Sequence, residues 1–467
     1  MLRWLEDRTG LGAVIRRLMR HQVPPGTGWL YVFGSATLMA FLLQLVTGAA
    51  LATVYVPAAA DAYQSLQYIT GQAALGHFLR GMHYFGASAM MILIAMHLIR
   101  VFLTGSYKYP REMNWLSGVL LLALTVSMAF TGQVLRWDQD GVWSAVVGAA
   151  QAERVPLIGR MLARMFLAGD NISGETLSHI YAYHVFIIPG LIIVGIALHL
   201  YLVLRHGISE PPQVDQAVDP ATYRARYRQL LHTGGRPFWP DAIWRDLVFG
   251  TGVLLLIAAL SLIVGPRALG LPPDPSLIAK DPRPDWYMLW YFALLAVLPS
   301  GLENWLVWLL PLLAGIGLIA LPLRFPGGQR HPARRPWAWG FVVCALVGVA
   351  ALLRVGIRSP WNPDVDARPL PAQVVASADS TIVRGATLFH DHACESCHRV
   401  SGYGGIYGPD LTYAGDRLSE LDITLRMANG GHNMPAFGRY LNAAELHAIA
   451  AFVKSRTRAS ARAHDAH

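Results

Sequence analysis

The chain is 467 residues long, 54% hydrophobic and only 14% charged, with 38 Lys and Arg against 29 Asp and Glu for a formal charge of +9. Charged residues make up about a quarter of a soluble chain, so a composition this apolar excludes a soluble globule and a disordered segment. The basic residues are dispersed between apolar runs rather than gathered on one face, which excludes a nucleic-acid binder in spite of the charge.

Residues 1–28 interleave Trp4, Leu5, Leu11, Val14, Ile15 and Leu18 with Arg3, Arg8, Arg16, Arg17 and Arg20. The pattern predicts a basic amphipathic helix on a membrane surface, and it lacks the apolar core of a secretory signal. Seven apolar segments follow, roughly 30–54, 81–103, 115–135, 180–204, 247–265, 303–323 and 337–354, each close to the length that crosses a bilayer. Cys344 sits within the seventh and reads as a small buried thiol.

Four histidines lie inside these spans: His83 and His97 in the second, His184 and His199 in the fourth. Ionisable residues at such positions are functional by default. Their spacings, 14 and 15, bring each pair back to within about 40° and 60° of one helix face, about 21 Å apart along the axis. Each helix therefore offers two imidazoles to a neighbour, one near each membrane surface. Gly34 and Gly48 in the first span and Gly118 and Gly132 in the third repeat the 14-residue interval. Glycines at two matched depths leave room for flat macrocycles against the backbone. A proton relay, a bare metal site or helix-packing glycines are the alternatives. The joint spacing of all eight favours two b-type haems, one on His83 and His184, the other on His97 and His199. Arg80 and Arg100 each stand three residues from one of these histidines, as partners for haem propionates or as plain interfacial anchors.

Loop charge sets the orientation. Eighteen Lys and Arg, among them Lys108, Arg111, Arg224, Arg330 and Arg335, fall on the side of the N-terminus, against eight on the other before the seventh span. The N-terminus is expected in the cytoplasm and everything beyond residue 355 outside. On that outer side Asp285 stands just before a short apolar run, 286–298, whose second residue is Tyr287; alone, Asp285 reads as a helix cap and Tyr287 as packing. Arg205, His206 and Asp241 are polar groups near the cytoplasmic surface, weak candidates for any site there.

A Pro-containing stretch between Ser359 and Pro371 reads as a stiff linker, followed by a small soluble domain. Within it Cys394-Glu-Ser-Cys397-His398 has the spacing of covalent haem c attachment; a thioredoxin-like redox pair would not need the histidine. Haem c is attached outside the cytoplasm in bacteria, which agrees with the orientation drawn from loop charge.

These residues carry a resemblance. From about 20 to 355 the chain resembles cytochrome b of the cytochrome bc family of quinol oxidoreductases, through the histidine pairs, the four glycines, Trp137-Asp-Gln and above all Pro284-Asp-Trp-Tyr287. The 15-residue spacing in the fourth span, Leu103-Thr-Gly-Ser, Gly207-Ile-Ser and three further spans are similar to the chloroplast-type branch, whose four-span and three-span proteins are here fused. Three departures stand out: Val32 replaces the cysteine that tethers an extra haem in that branch, His179 replaces an Arg near the outer haem, and Arg136 replaces a Pro. The resemblance implies that Asp285, with Tyr287 beside it, accepts a proton from quinol at the outer surface. Asp in place of the usual Glu points to menaquinol. Residues 380–460 resemble a class I cytochrome c, which implies axial ligands His398 and Met434, with Met427 and His432 as competitors for the second, and a supporting role for the backbone of Pro409.

The expected fold is all-α: a polytopic bundle of seven spans, the first four binding two b haems, plus a small helical cytochrome c domain. The divisions are a surface helix 1–28, a bis-haem domain 29–210, a cytoplasmic connection 211–245, a three-span domain 246–355, a linker 356–379 and a cytochrome c domain 380–467. The implied function is the fused cytochrome b/c subunit of a quinol–cytochrome c reductase in the bacterial cytoplasmic membrane. It would work with a separate Rieske iron–sulfur protein, the lipid-dissolved quinone pool and a cytochrome c or other acceptor, as a homodimer and with no nucleic acid. The alternative is a non-bifurcating bis-haem membrane anchor of another respiratory enzyme; a transporter with buried histidines is the third reading.

Overall fold

The computed structural model describes residues 2–10, 12, 19–170, 172–273, 283–358, 368–405, 408–430, 434, 436–438 and 440–459. Seven helices among them are long and apolar enough to cross a membrane: Phe33–Ala52, Gly76–Leu103, Glu112–Val134, Gly174–His206, Phe238–Ile263, Gly301–Arg324 and Pro336–Arg358. They are the first to seventh spans, and the architecture is an all-α membrane bundle followed by a small helical domain. The segment predicted as one helix over 1–28 is described only in part. A helix covers Leu2–Thr9 and ends at Gly10, which takes the left-handed backbone (φ 60°) that glycine adopts without strain. Gln22–Val23 then pairs antiparallel with Arg236–Pro237, and residues 11 and 13–18 lie outside the described residues.

The membrane core is built on small side chains. Ala36 and Ala40 of the first span, with Phe33 and Phe41, meet Met90 and Leu93 of the second and Ile188 and Ile192 of the fourth; alanines at successive turns let helices approach closely. Most other large apolar side chains face outward, as they do against lipid. Cys344 is one of these: it is exposed on the seventh span, so the apolar run around it faces the bilayer rather than a protein interior, contrary to the buried thiol expected.

The loops 104–111, 207–236 and 325–335 mark the basic end of the bundle. There Glu210 joins the two halves of the chain. Arg330 donates to its carboxylate at 2.7 Å and to its carbonyl at 2.7 Å, Tyr223 donates to its second oxygen at 2.6 Å, and Arg111 donates to the Tyr223 hydroxyl at 2.7 Å. Ala217–Val218 pairs antiparallel with Gly328–Gln329 beside this cluster. At the opposite end a helix, Gln139–Glu153, is capped by Asp138 and packs through Ala145 onto Val134, Trp137, Leu177 and Ile180. A shorter apolar helix, Trp286–Val297, starts at the same end.

The C-terminal domain packs Ser380–Asp391 against Ala443–Lys454 around Phe389, Phe452, Ile449 and Val453. Asn442 and Glu445 form a reciprocal capping box at the start of the second helix. Part of the predicted linker, 359–367, lies outside the described residues.

Candidate functional site

The fourth span is not a regular helix. Tyr183–Ile187 forms a wide π-type turn containing His184, just before Pro189, which has no N–H to give to the carbonyl one turn back. A π turn absorbs one extra residue. The 15-residue interval of this span therefore does the geometric work of the 14-residue interval in the second, and the 60° divergence expected from an ideal helix does not arise.

His83 and His184 meet with ring centroids 6.3 Å apart and planes inclined by 72°, a gap that leaves room for one metal ion between two ring nitrogens. Each of the four glycines faces one of the four imidazoles. A Cβ added at Gly34 would lie 3.0 Å from Cε1 of His97, at Gly48 3.1 Å from Cε1 of His83, at Gly132 2.8 Å from Cε1 of His184, and at Gly118 3.6 Å from Cε1 of His199. The glycines are thus clearances for the imidazoles, a tighter role than room for a macrocycle.

Three hydroxyls orient three of the rings. Thr47 Oγ1 lies 3.0 Å from Nδ1 of His83, Thr131 Oγ1 3.0 Å from Nδ1 of His184, and Ser117 Oγ 2.9 Å from Nδ1 of His199. Each hydroxyl has one proton and already donates it along its own helix, Thr47 to Leu43, Thr131 to Met128 or Ser127, Ser117 to Asn114. The imidazoles must then be the donors, which puts the proton on Nδ1 and leaves the Nε2 lone pair free for a metal. Spacing arguments missed these three residues, although a signal was present: each immediately precedes one of the glycines, as Thr47-Gly48, Ser117-Gly118 and Thr131-Gly132.

Arg80 and Arg100 differ. Arg80 is engaged by protein, donating to Thr70 Oγ1 at 3.0 Å and to the carbonyl of Arg267 at 2.8 Å. Arg100 stacks on Tyr31 with its guanidinium carbon 3.7 Å from the ring centroid, and its buried Nε and Nη2 have no hydrogen-bond partner. Two unpartnered donors suit an anionic group at the basic end, where Arg100 remains the better propionate candidate. His179 lies against Tyr183, ring centroids 4.6 Å apart and planes tilted by 32°, and Val32 is buried.

Asp285 occupies the cap position of Trp286–Val297, yet its side chain makes no capping bond. Its carboxylate instead accepts from Tyr287 at 3.0 Å on Oδ2 and from Arg267 at 3.2 Å on Oδ1, and its backbone N–H donates to Gln133 Oε1 at 3.0 Å. Gln133 is the residue after Gly132, so a single turn of the third span touches His184 on one side and Asp285 on the other. Arg267, from the loop after the fifth span, also donates to Asp140 at 2.8 Å.

At the basic end the three weak candidates do not converge. Arg205 donates to Tyr201, the Nδ1 of His206 lies 3.0 Å from Asn114 Oδ1, and Asp241 sits in the turn that opens the fifth span. Asp246, an acidic residue inside an apolar span, instead accepts from Ser35 at 2.6 Å, next to Gly34 and hence to His97.

In the C-terminal domain His398 Nδ1 donates to the carbonyl of Pro409 at 2.9 Å, and Gly408 lies against the ring, where a Cβ would come within 2.6 Å. The same tautomer logic frees Nε2. Cys394 and Cys397 are unpaired thiols; burial, then the charges of Glu395 and Cys397, push Cys394 up to about 12, and burial raises Cys397. Met434 packs on the domain core, which includes the buried Met427; His432 lies outside the described residues. No cluster of three or more His, Cys, Asp or Glu that would hold a bare metal ion occurs among the described residues. The paired imidazoles, glycine clearances and freed Nε2 atoms fit haem, as does the thiol pair beside His398.

Comparison with known proteins agrees with this geometry. The cytochrome b/b6/petB family model matches residues 18–207, and that of cytochrome c oxidase, cbb3-type, subunit III matches 380–453. Cytochrome b6 of Heliobacterium mobile is 39% identical over 212 residues, 45% of this chain and 100% of that protein. Cytochrome b6 of Mastigocladus laminosus is 36% identical over 208 residues, 44% of this chain and 97% of that protein. A solved structure described as hyperthermophilic respiratory Complex III shares the fold with a TM-score of 0.66 at 24% identity, over 77% of this chain and 92% of that one.

Proposed function

Since the chain belongs to the cytochrome b/b6 family, joined to a C-terminal cytochrome c domain, we propose that it is the fused cytochrome b/c subunit of a quinol–cytochrome c reductase that oxidises menaquinol with bifurcated electron transfer. The observation that carries this reading is the turn at residues 129–133. Thr131 and Gly132 contact His184, Gln133 holds the backbone of Asp285, and the hydroxyl of Tyr287 lies between Asp285 Oδ2 and, at 3.5 Å, the carbonyl of Ala129. A proton acceptor and an electron acceptor thus share one structural support, as quinol oxidation requires when a proton and an electron leave one molecule. A membrane anchor that only relays electrons has no use for a carboxylate held in this way.

His83 with His184 and His97 with His199 would hold two b haems, and Cys394, Cys397, His398 and Met434 would hold one haem c; these groups would supply one-electron transfer. Gly34, Gly48, Gly118 and Gly132 clear the imidazoles, and Thr47, Ser117 and Thr131 hold three of them in the ligating tautomer. At the outer site Asp285 takes a proton from the quinol hydroxyl, the quinol O–H breaking as the carboxylic O–H forms. Tyr287 donates to the other carboxylate oxygen and so steadies the acceptor. Asp246 and Ser35, with Arg100 nearby, line the cytoplasmic side where quinone is reduced. One electron from quinol goes through a separate Rieske protein towards the C-terminal domain and onward to a soluble or membrane-bound acceptor, the other across the bilayer; the N-terminus faces the bacterial cytoplasm, and the complex is a homodimer.

The test is oxidant-induced reduction in native membranes. With the quinol pool reduced and the cytoplasmic quinone site blocked, an oxidant pulse is expected to make haem b more reduced while haem c is oxidised. Oxidation of both together under a verified block would favour the non-bifurcating anchor.

A further inference from the structure

We propose that Arg267 and Asp140 are positioning residues for the outer-site carboxylate: one guanidinium is divided between Asp285 and Asp140, so the proton acceptor is aimed by a partner it does not monopolise. The inference rests on the role given to Asp285 above. Three separate segments converge: Arg267 from the loop after the fifth span, Asp140 from the first turn of Gln139–Glu153, and Asp285 from the loop before Trp286–Val297. Nη2 of Arg267 stands 2.8 Å from Asp140 Oδ2, and Nη1 stands 3.2 Å from Asp285 Oδ1. The closer partner is Asp140. Arg267 is itself pinned, because its carbonyl accepts from Arg80, whose other nitrogen is held by Thr70.

The groups around Asp140 reinforce the division. Arg136 lies 3.9 Å from both Asp138 and Asp140, and its buried Nε and Nη2 have no hydrogen-bond partner. Asp138 is fully buried and committed to the amides of Gly141 and Gly270 at 2.8 and 2.9 Å. It therefore repels Asp140 without competing for Arg267. Burial, then the charge of Asp138, raise the Asp140 carboxyl, while Arg267 and Arg136 pull it back. Side-chain exposure rises from 15% at Asp285 to 25% at Asp140 and 35% at Arg267, which leads from the acceptor towards solvent.

Division has a chemical consequence. An arginine given wholly to Asp285 would hold it as carboxylate and oppose uptake of the quinol proton; no arginine would leave it facing only Tyr287 and the charge of Asp140. Sharing sets a balance between these, and when Asp285 gains its proton Arg267 remains compensated by Asp140. Neither positioning residue changes covalently, and the proton taken up by Asp285 is the one lost from the quinol hydroxyl.

The test compares D140N and R267Q, with D285N alongside, in native membranes containing the whole complex, reading the pH dependence of kcat/KM for a short-chain menaquinol with haem c reduction as signal. D140N is expected to move the acid limb to lower pH and R267Q to move it to higher pH, each by about half to one unit for opposite changes at one partly screened contact. R267K is expected to restore most of the R267Q shift. Loss of rate with unmoved limbs, or movement of both in one direction, overturns the proposal and leaves these residues a structural role only. Retention of wild-type activity in D285N overturns the reading of Asp285, and the proposal with it. Haem b and haem c bands report assembly; if D140N does not assemble, D140E and the two Arg267 variants read the same limb.

Discussion

Alanine at each of the four glycines separates two reasons for a glycine in a haem-binding span. If the missing side chains only make room for a flat macrocycle, the four substitutions should cost about the same. If they clear the imidazoles, the cost should follow the distances. A methyl at Gly132 would lie 2.8 Å from Cε1 and 3.4 Å from Nε2 of His184, and a methyl at Gly118 would meet His199 at 3.6 Å. Carbon atoms pack best at about 3.5–4.0 Å, so G132A must move the ring by roughly 0.7 Å and G118A need not move it. Overpacking of that kind costs about 1–3 kcal/mol, or roughly 5- to 150-fold in affinity for the group the ring binds. Alanine over glycine in a helix returns nearly 1 kcal/mol at all four positions, so G118A, which moves no ring, should cost nothing. The expected order of damage is G132A, then G34A at 3.0 Å, G48A at 3.1 Å, and G118A least. The haem c attached to the same chain is an internal standard, so the ratio of b to c absorbance in reduced-minus-oxidised spectra of membranes measures haem b retention independently of expression. Equal loss in G118A and G132A would refute the clearance argument and return the glycines to the macrocycle.

T131V removes the acceptor of the His184 Nδ1 proton at nearly constant volume; an unpaired buried donor costs about 1–3 kcal/mol, and the b-to-c ratio should fall by about tenfold or more, whereas an unchanged ratio would show that the hydroxyl does not set the tautomer. R330M leaves Glu210 buried with only Arg226 at 3.7 Å as a cationic partner; breaking a buried pair costs about 3–5 kcal/mol, so haem b of the detergent-solubilised protein should be lost at a clearly lower temperature, and an unshifted midpoint would refute a structural role for the joint. Glu395 is 1% exposed with Oε2 unpartnered, and burial raises its carboxyl while His390 lowers it. The folded domain therefore holds this proton above the ordinary carboxylate range where the unfolded chain has released it, so stability is greatest at low pH and falls as pH rises through the raised value. Thermal unfolding followed at the haem c band should show that slope and E395Q should lack it; equal slopes would refute the assignment.

The histidines and glycines were legible because helical periodicity is a property of local sequence, and intervals of 14 place residues at matched depths whatever the bundle does. The interval of 15 misleads for a local reason: the span is not an ideal helix, and the π turn before Pro189 cancels the extra residue. Thr47, Ser117 and Thr131 stand in plain hydroxyl–glycine dipeptides, but the tautomer they fix depends on a partner ring that only the folded bundle brings to them. Arg267 and Asp140 were beyond the reach of pattern. They lie 18 and 145 positions from Asp285, and only the packing of two loops and a helix start joins them. Cys344 failed differently: an apolar run says that a residue leaves water, without saying whether protein or lipid receives it.

Residues 132 and 133 are neighbours with different duties, and that difference is measurable. Gly132 faces His184, and Gln133, buried, donates to Ser144 at 2.6 Å while accepting from the backbone of Asp285 at 3.0 Å. Q133L leaves the imidazole side of the turn intact and unties the Asp285 loop, stranding its N–H at a cost of about 1–3 kcal/mol, while Ser144 keeps its own donation to the carbonyl of Asp140 at 2.6 Å. The expected result is a quinol oxidation rate lowered by tenfold or more with normal haem b bands. G132A disturbs the ring that Thr131 also holds, and should lower haem b content and quinol oxidation together. The two variants differ by one position and a quarter of a helical revolution, so general destabilisation of the span would affect both alike. A shared loss of haem b, or a Q133L protein that oxidises quinol at the wild-type rate, would show that this turn does not join the carboxylate to the histidine pair.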